Sequence, residues 1–200
     1  MRGMTRPGLP KNIGRCMRSG RNIKYFTKMG GDRMSKDLVV FYSWGGNTKA
    51  VAEYIGQKTG AELLELKVKV PYPRDYRACV NQAGKEGKAY EPELAVSVPD
   101  LRGYGRIYVG SPCWWGTIAN PVRTFLHQNN LTVKTIAPFM THGTSGLHIA
   151  DIKGLCPDSK ILEGLGIYNC YQVSTTVDKP ENMGDFHPLV DAWLQRINLQ

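Results

Sequence analysis

The chain has 200 residues, 42% of them apolar, which is enough for one core and gives no reason to expect a second domain. Its formal charge of +9 would suit a nucleic-acid partner, but residues 1–36 alone hold ten basic residues and one acid, whereas residues 37–200 balance to zero. The excess charge belongs to the N-terminal segment, so the composition argues against nucleic acid as the partner of the rest.

Residues 1–36 have a composition of their own. They lack the apolar run of a secretory signal, and their glycines, prolines and scattered arginines indicate a disordered basic extension. A transit peptide, a nucleic-acid arm and a start assigned too far upstream all stay open as alternatives. We favour a segment without function or a misassigned start, followed by one domain over residues 37–200.

The cysteines and the hydropathy indicate the setting of the protein. Five cysteines with no C-x-x-C pair and no secretion signal indicate neither a disulfide framework nor a zinc site, so no metal site is predicted. No stretch reaches the roughly 18 apolar residues that would span a bilayer. We therefore expect a cytoplasmic protein in a reducing compartment, without a membrane partner.

From residue 37 onward, strand-like apolar runs alternate with helix-like segments, which is the pattern of a parallel sheet covered by helices on both faces. The predicted strands are 37–42, 61–68, 106–110, 134–141 and 160–165. The predicted helices are 48–59, 75–88, 121–128, 149–155 and 186–197. The last helix carries an apolar stripe that indicates core packing, formed by Leu189, Val190, Trp193, Leu194 and Ile197.

The first chemistry-bearing segment links the first predicted strand to the first predicted helix. It reads Ser43, Trp44, Gly45, Gly46, Asn47, Thr48 and Lys49. Backbone N–H groups freed by a glycine turn, together with those at the helix start and the positive end of the helix dipole, suit a phosphate dianion. The alternative is an ordinary tight connection in which Asn47 or Thr48 caps the helix.

Other phosphate and catalytic motifs do not fit the chain. The spacings of a P-loop, G-x-x-x-x-G-K-[ST], and of the dinucleotide fingerprint, G-x-G-x-x-G, are both absent from the sequence. A phospho-acceptor receiver would need a carboxylate after the first strand, where Phe41, Tyr42 and Ser43 stand. No G-x-S-x-G elbow indicates a hydrolase, and no residue is predicted to be catalytic.

The second segment follows the third predicted strand and contains Pro112, Cys113, Trp114, Trp115 and Gly116. In a doubly wound sheet of order 2-1-3-4-5 the first and third strands flank the switch point, so this loop and the glycine turn open onto one crevice. Two adjacent tryptophans suit a flat aromatic ligand, because each aromatic contact contributes about 1 kcal/mol. We expect one indole to pack under the loop and the other to contact the ligand.

The third segment follows the fourth predicted strand and contains Thr141, His142, Gly143 and Gly146. Its glycines allow close approach of the backbone, and its N–H groups suit the electron-rich edge of a flat heteroaromatic ligand. The alternative is a turn in which Ser145 caps the next helix and the histidines are merely exposed.

The segments VVFYSWGGNTKAVAEYI, RIYVGSPCWWGTIANPVRTFL and KTIAPFMTHGTSG resemble the flavodoxin-like family of FMN-binding proteins, in particular a branch with a W-W-G loop. The family's phosphate loop reads roughly T/S-x-T/S-G-N-T, but Gly45 stands where that loop usually has a hydroxyl. The resemblance implies an α/β fold with a doubly wound, five-stranded parallel sheet. It also implies weaker phosphate binding or a shift of the phosphate towards backbone donors and Lys49.

The same resemblance places residues 113–116 beside the isoalloxazine ring and residues 141–146 near its edge. We expect an FMN-dependent oxidoreductase that reduces small flat acceptors such as quinones, with a nicotinamide cofactor as a candidate donor. The neutral charge of residues 37–200 favours this function over an acidic electron shuttle. An electron carrier that serves a redox protein and a non-catalytic binding module stay open, as does a homodimer.

Overall fold

Strands and helices alternate along the chain in the computed structural model, which describes residues 35–143, 146–168 and 183–199. The strands of this part are β1 (Lys36–Phe41), β2 (Glu62–Glu65), β3 (Tyr104–Trp114), β4 (Thr117–Ile118), β5 (Thr135–His142), β6 (Lys160–Ile161) and β7 (Leu165–Tyr168). Its helices are α1 (Asn47–Thr59), α2 (Tyr76–Glu86), α3 (Asn120–Gln128), α4 (Ala150–Leu155) and α5 (His187–Asn198).

The sheet has the order β2-β1-β3-β5-β6, and each neighbouring pair is parallel. β7 also runs parallel to β5, and the short β4 pairs antiparallel with β3. Taking β5 as the fourth strand and β6 with β7 as the fifth, the predicted order 2-1-3-4-5 is confirmed. The carboxyl ends of β1, β3 and β5 therefore stand side by side.

The fifth strand differs from the prediction, because it is two short strands and not one strand over 160–165. Ile136 of β5 pairs with Ile161, whereas Phe139 pairs with Leu165, so three steps along β5 face four steps along its neighbour. The extra residue makes a bulge, a feature common at sheet edges that interrupts pairing and bends the strand.

Each face of the sheet carries its own apolar layer. Leu38 and Val40 of β1 pack on one face with side chains of α2, α3 and α4, and Val39 and Phe41 pack on the other with α1 and α5. This alternation follows from the two-residue period of a strand. Both faces of β1 are buried, which explains its continuous apolar run.

The apolar stripe of α5 is confirmed at four of its five positions. Val190, Trp193, Leu194 and Ile197 are buried at the spacing i, i+3, i+4, i+7. Leu189 is 53% exposed, so its predicted place in the core is wrong. It precedes the buried stripe by one position, in the first turn of the helix.

The predicted extension, residues 1–36, lies outside the described residues except for its last two. Of these, Lys36 already belongs to β1, and its Nζ lies 2.6 Å from a carboxylate oxygen of Glu62. Within the described ranges, no helix combines the length and the apolar character that a membrane span requires.

Candidate functional site

The three segments singled out in the sequence meet at the carboxyl edge of the sheet. They follow β1, β3 and β5, which are parallel neighbours, so all three open on the same side. The hydroxyl groups of Thr48 and Thr141, both buried, lie 2.8 Å apart and join the first segment to the third. The Tyr42 N–H donates to the Gly110 carbonyl at 3.2 Å and ties the ends of β1 and β3.

Gly46 shapes the first segment. Its φ of 91° lies in the left-handed region that favours glycine, and it is the N-cap of α1. The alternative that Asn47 or Thr48 caps this helix is therefore wrong, since the chain turns one residue earlier and no side chain caps α1. The Gly46 N–H donates to Ser43 Oγ at 3.1 Å, which holds the turn closed.

The start of α1 is suited to an anion. The first helical hydrogen bond runs from the Ala50 N–H to the Gly46 carbonyl at 2.9 Å, so the amides of Thr48 and Lys49 have no acceptor inside the helix. No acidic residue lies in the first turn, where a carboxylate would compete for these donors. The backbone therefore supplies amide donors for an anion at this end of α1.

Gly45 differs from Gly46 because its position would accept a side chain. A Cβ added at Gly45 would meet no heavy atom within 4 Å, and its φ lies outside the left-handed range. The position where related loops carry a hydroxyl is therefore open, and a side chain could be added there without strain.

A groove of roughly 200 Å³ borders this loop and is lined by Ser43, Gly46, Lys49, Ala50, Glu53, Glu65 and Lys67. The Lys49 Nζ lies 3.9 Å from Glu53 and 3.6 Å from Glu65, so its charge is shared between two carboxylates. Lys67 also pairs with Glu65. In this arrangement the backbone amides, more than the Lys49 side chain, are the available donors for an anion.

The W-W-G segment is the tip of a β-hairpin. The third predicted strand does not end at Gly110 but continues to Trp114, because Cys113 and Trp114 pair antiparallel with residues 117–118. The two turn residues, Trp115 and Gly116, have φ values of 52° and 72°. Positive φ at both central residues is the pattern of a type I′ hairpin turn.

The two tryptophans have different surroundings. Trp114 makes edge-on contacts with the rings of Tyr42, at 5.6 Å, and Tyr72, at 4.8 Å. Trp115 is 64% exposed, and its indole N–H donates to the Val80 carbonyl of α2 at 3.2 Å. Trp114 is therefore the indole that packs under the loop, and Trp115 stands at the open edge.

The base of the hairpin is fixed by a buried serine. The Ser111 hydroxyl donates to the Pro112 carbonyl and accepts from the Ala119 N–H, both at 2.8 Å. Cys113 is partly exposed and lies opposite Ile118 in the hairpin.

Sequence reasoning missed a wall of this site, formed by the chain between β2 and β3. The Trp44 indole N–H donates to the Pro73 carbonyl at 2.9 Å, and the Trp44 ring lies 6.1 Å from that of Tyr76. A short antiparallel contact, with the Lys69 N–H donating to the Glu93 carbonyl at 2.9 Å, closes the segment. The two prolines and the tyrosine at 71–73 were its one local signal.

Glu86 was also missed, and it joins this wall to the hairpin. Its carboxylate accepts from Tyr72 Oη at 2.6 Å, Gln82 Nε2 at 2.8 Å and Asn120 Nδ2 at 3.1 Å. Burial, and then the hydrogen bond to Glu86, raise the pKa of Tyr72 well above its ordinary value. Because Asn120 is the first residue of α3, the network connects α2 with the chain that leaves the hairpin.

The third segment is described at Thr141, His142, Gly143 and Gly146. His142 Nδ1 accepts the Gly146 N–H at 3.2 Å, which places the proton of a neutral imidazole on Nε2. Burial, and then the nearby His148, lower the pKa of His142. Ser145, the alternative helix cap, lies outside the described residues.

Two buried nitrogen atoms near the hairpin have no hydrogen-bond partner within the described part of the chain: Arg123 Nε and His148 Nε2. A Cβ added at Gly116 would lie 3.9 Å from His148 Cε1, so this imidazole borders the hairpin turn. An Arg123 terminal nitrogen lies 3.4 Å from Asp151, which holds the guanidinium in place.

These features fit a ligand with a phosphate at one end and a flat ring at the other, such as FMN. The Gly46 turn offers amide donors, and the Trp115 indole offers an exposed aromatic face. His148 Nε2 is a buried polar atom that has no hydrogen-bond partner among the described residues.

The chain is similar to several known proteins. A flavodoxin family model matches residues 36–179. An NAD(P)H dehydrogenase (quinone) from Cupriavidus metallidurans is 34% identical over 95 residues, which is 48% of this chain and 47% of that protein. The match thus spans about half the length of this curated relative.

Two solved structures are similar. A flavoprotein from Lactobacillus acidophilus, solved in complex with FMN, shares 29% identity at a TM-score of 0.58 over 66% of this chain and 92% of its own. A candidate flavoprotein from Bacteroides eggerthii shares 23% identity at a TM-score of 0.63 over 83% of this chain and 99% of its own, which supports the fold.

Proposed function

The chain belongs to the flavodoxin family, and from this premise we propose that its three loops bind FMN and that it works as an FMN-dependent oxidoreductase. The observation that carries the proposal is the meeting of the Gly46 turn, the W-W-G hairpin and the His142 loop at one edge of the sheet. When bound, FMN supplies hydride and electron transfer, while the protein binds and orients it.

The first loop is assigned to the phosphate. The Thr48 and Lys49 amides face outward at the positive end of α1, and Ser43 keeps the turn closed. The Thr48 and Thr141 hydroxyls use one hydrogen between them, so the second hydroxyl hydrogen is left for another acceptor. This pair can therefore reach the ligand while linking two loops.

The second and third loops are assigned to the ring. Trp115 offers its exposed indole face beside the hairpin turn, and the His148 imidazole, whose Nε2 is buried, borders the same turn from the third loop. Gly143 and Gly146 allow the backbone to approach a ring edge closely, since neither carries a Cβ.

For the reaction, we propose reduction of small flat acceptors such as quinones, with electrons from a nicotinamide cofactor. Two observations support it: the similarity to a quinone dehydrogenase, and the zero net charge of residues 37–200, which gives no long-range steering towards a charged protein partner. A cytoplasmic setting is proposed with it, because Cys79, Cys113 and Cys156 are free cysteines.

The test is turnover with purified, FMN-loaded protein, NADH or NADPH, and a soluble quinone at several salt concentrations. We expect quinone reduction whose rate changes little with salt, because exposed charges do not guide the encounter. Gly46→Val, which should lose FMN, is the matched control for background reduction. Failure with both nicotinamides, together with fast, salt-sensitive exchange with a protein reductase, would support the electron carrier instead.

A further inference from the structure

The contact between Gly84 and Trp115 carries a consequence for acceptor choice, and it rests on the proposed function. We propose that Gly84 is a positioning residue that sets acceptor specificity, because its lack of a side chain lets the Trp115 indole pack directly on α2. In this position the exposed indole borders the region assigned to the flavin ring, beside which a flat acceptor would have to bind.

The backbone conformation of Trp115 indicates that contacts outside the hairpin turn hold the indole in this position. A φ of 52° is in the left-handed region, which a bulky side chain adopts at a cost in free energy. Such a conformation persists where neighbouring contacts enforce it. Within the described residues, the indole N–H donates to the Val80 carbonyl of α2 at 3.2 Å.

Gly84 provides the space for the ring. A Cβ built on Gly84 would lie 3.0 Å from Cζ2, 3.1 Å from Cε2 and 3.2 Å from Nε1 of Trp115. The indole thus lies directly on the backbone of α2, with no room for a methyl group. Gly84 is exposed and its φ is not in the left-handed range, so its backbone conformation does not require glycine.

The consequence for specificity follows from the position of Trp115. The indole stands at the tip of the hairpin and is 64% exposed, so few other contacts restrain it once it can no longer pack on Gly84. A displaced indole would change the width of the region beside the flavin ring and affect broad acceptors more than narrow ones. Gly84 would therefore affect the KM of large quinones without contacting the substrate.

The experiment compares Gly84→Ala and Gly84→Leu in FMN-loaded protein. Gly154→Ala and Gly154→Leu are the matched controls, because Gly154 is an exposed helical glycine whose added Cβ would meet nothing within 4 Å. We expect Gly84→Leu to raise the KM of a naphthoquinone relative to that of a benzoquinone by about threefold or more, with kcat little changed. Gly84→Ala should shift it in the same direction by less.

Two further readouts separate positioning from loss of structure. The indole N–H resonance of Trp115, assigned with Trp115→Phe, should move in both Gly84 variants and stay in place in the Gly154 variants. In a Trp115→Ala background, Gly84→Leu should have no further effect on the ratio of KM values, since the residue through which it acts is gone.

Equal changes for both quinones, an unmoved indole resonance, or an undiminished Gly84→Leu effect without Trp115 would each overturn the inference while leaving the proposed function intact. A wild-type chain that binds no FMN would overturn the proposed function and this inference with it. FMN content, measured on every variant, tells these cases apart.

Discussion

The hydroxyl groups of Thr48 and Thr141 lie 2.8 Å apart, between two side chains that are 1% and 4% exposed. One belongs to the first turn of α1 and the other to β5, so the bond joins the loop proposed to bind the phosphate to the loop proposed to lie at the ring edge. The two loops are therefore held in a fixed relation before any ligand arrives.

Replacing either threonine with valine should lower the free energy of unfolding by about 1–3 kcal/mol, because the remaining buried hydroxyl loses its partner. The double variant should lose less than the sum of the single variants, because it leaves no unpaired hydroxyl. Urea unfolding of the apo-protein measures both, with exposed Thr132→Val as the control. Strict additivity would show that the bond is absent in solution.

Gly46→Val and Gly45→Ser should change FMN affinity in opposite directions. Valine at Gly46 must adopt a φ of 91° and crowds the amide donors at the start of α1, so affinity should fall by about tenfold or more. Serine at Gly45 meets no atom and adds a hydroxyl donor, so affinity should rise by about threefold. Flavin titration with a parallel melt of the apo-protein checks this. Unchanged affinity in both would place the phosphate elsewhere.

Stability should fall on acidification through His142. The pKa of His142 in the folded state is lowered, mainly by burial. In the unfolded chain a histidine has its ordinary pKa of about 6.5. The unfolded state then binds more protons as pH falls below about 6.5, so the folded state loses stability in that window. His142→Gln should show a shallower loss than wild type in urea unfolding at several pH values. Parallel pH profiles for wild type and His142→Gln would contradict this.

Deleting residues 1–33, so that the chain starts at Met34, should leave FMN content and quinone turnover unaltered. Eight of the nine excess positive charges lie in residues 1–33, before β1 begins at Lys36, and residues 37–200 have no net charge. Absorbance in the flavin bands and steady-state rates, compared with the full chain, provide the measurement. A truncated protein that no longer folds or holds flavin would show that the extension packs on the domain.

The sheet order and the three loops could be predicted because each depends on local signals. β1 is a continuous apolar run buried on both faces, and Gly46 marks the turn that follows it. The bulge before Leu165 could not be predicted, because it depends on how β6 and β7 pair with β5 and does not change the apolar pattern of the sequence.

The hairpin and the wall beside it were missed for a different reason. A type I′ turn is normally signalled by Asn or Gly at its first central position, and here that position is Trp115, held in place by contacts from α2. Glu86 likewise gains its role from Tyr72 and Asn120, which are distant in sequence. Such long-range contacts leave no periodic trace in one sequence.

The most direct test of the account is the identity of the cofactor that the purified chain carries. Mass spectrometry of the released ligand, followed by calorimetry of the stripped protein with FMN, FAD and NAD, would measure it, and Gly46→Val would serve as the matched control. The account predicts FMN in about equimolar amount, its loss in the Gly46 variant, and rebinding of FMN in preference to FAD and NAD. Tight FAD binding without FMN binding, or no flavin binding at all, would contradict it.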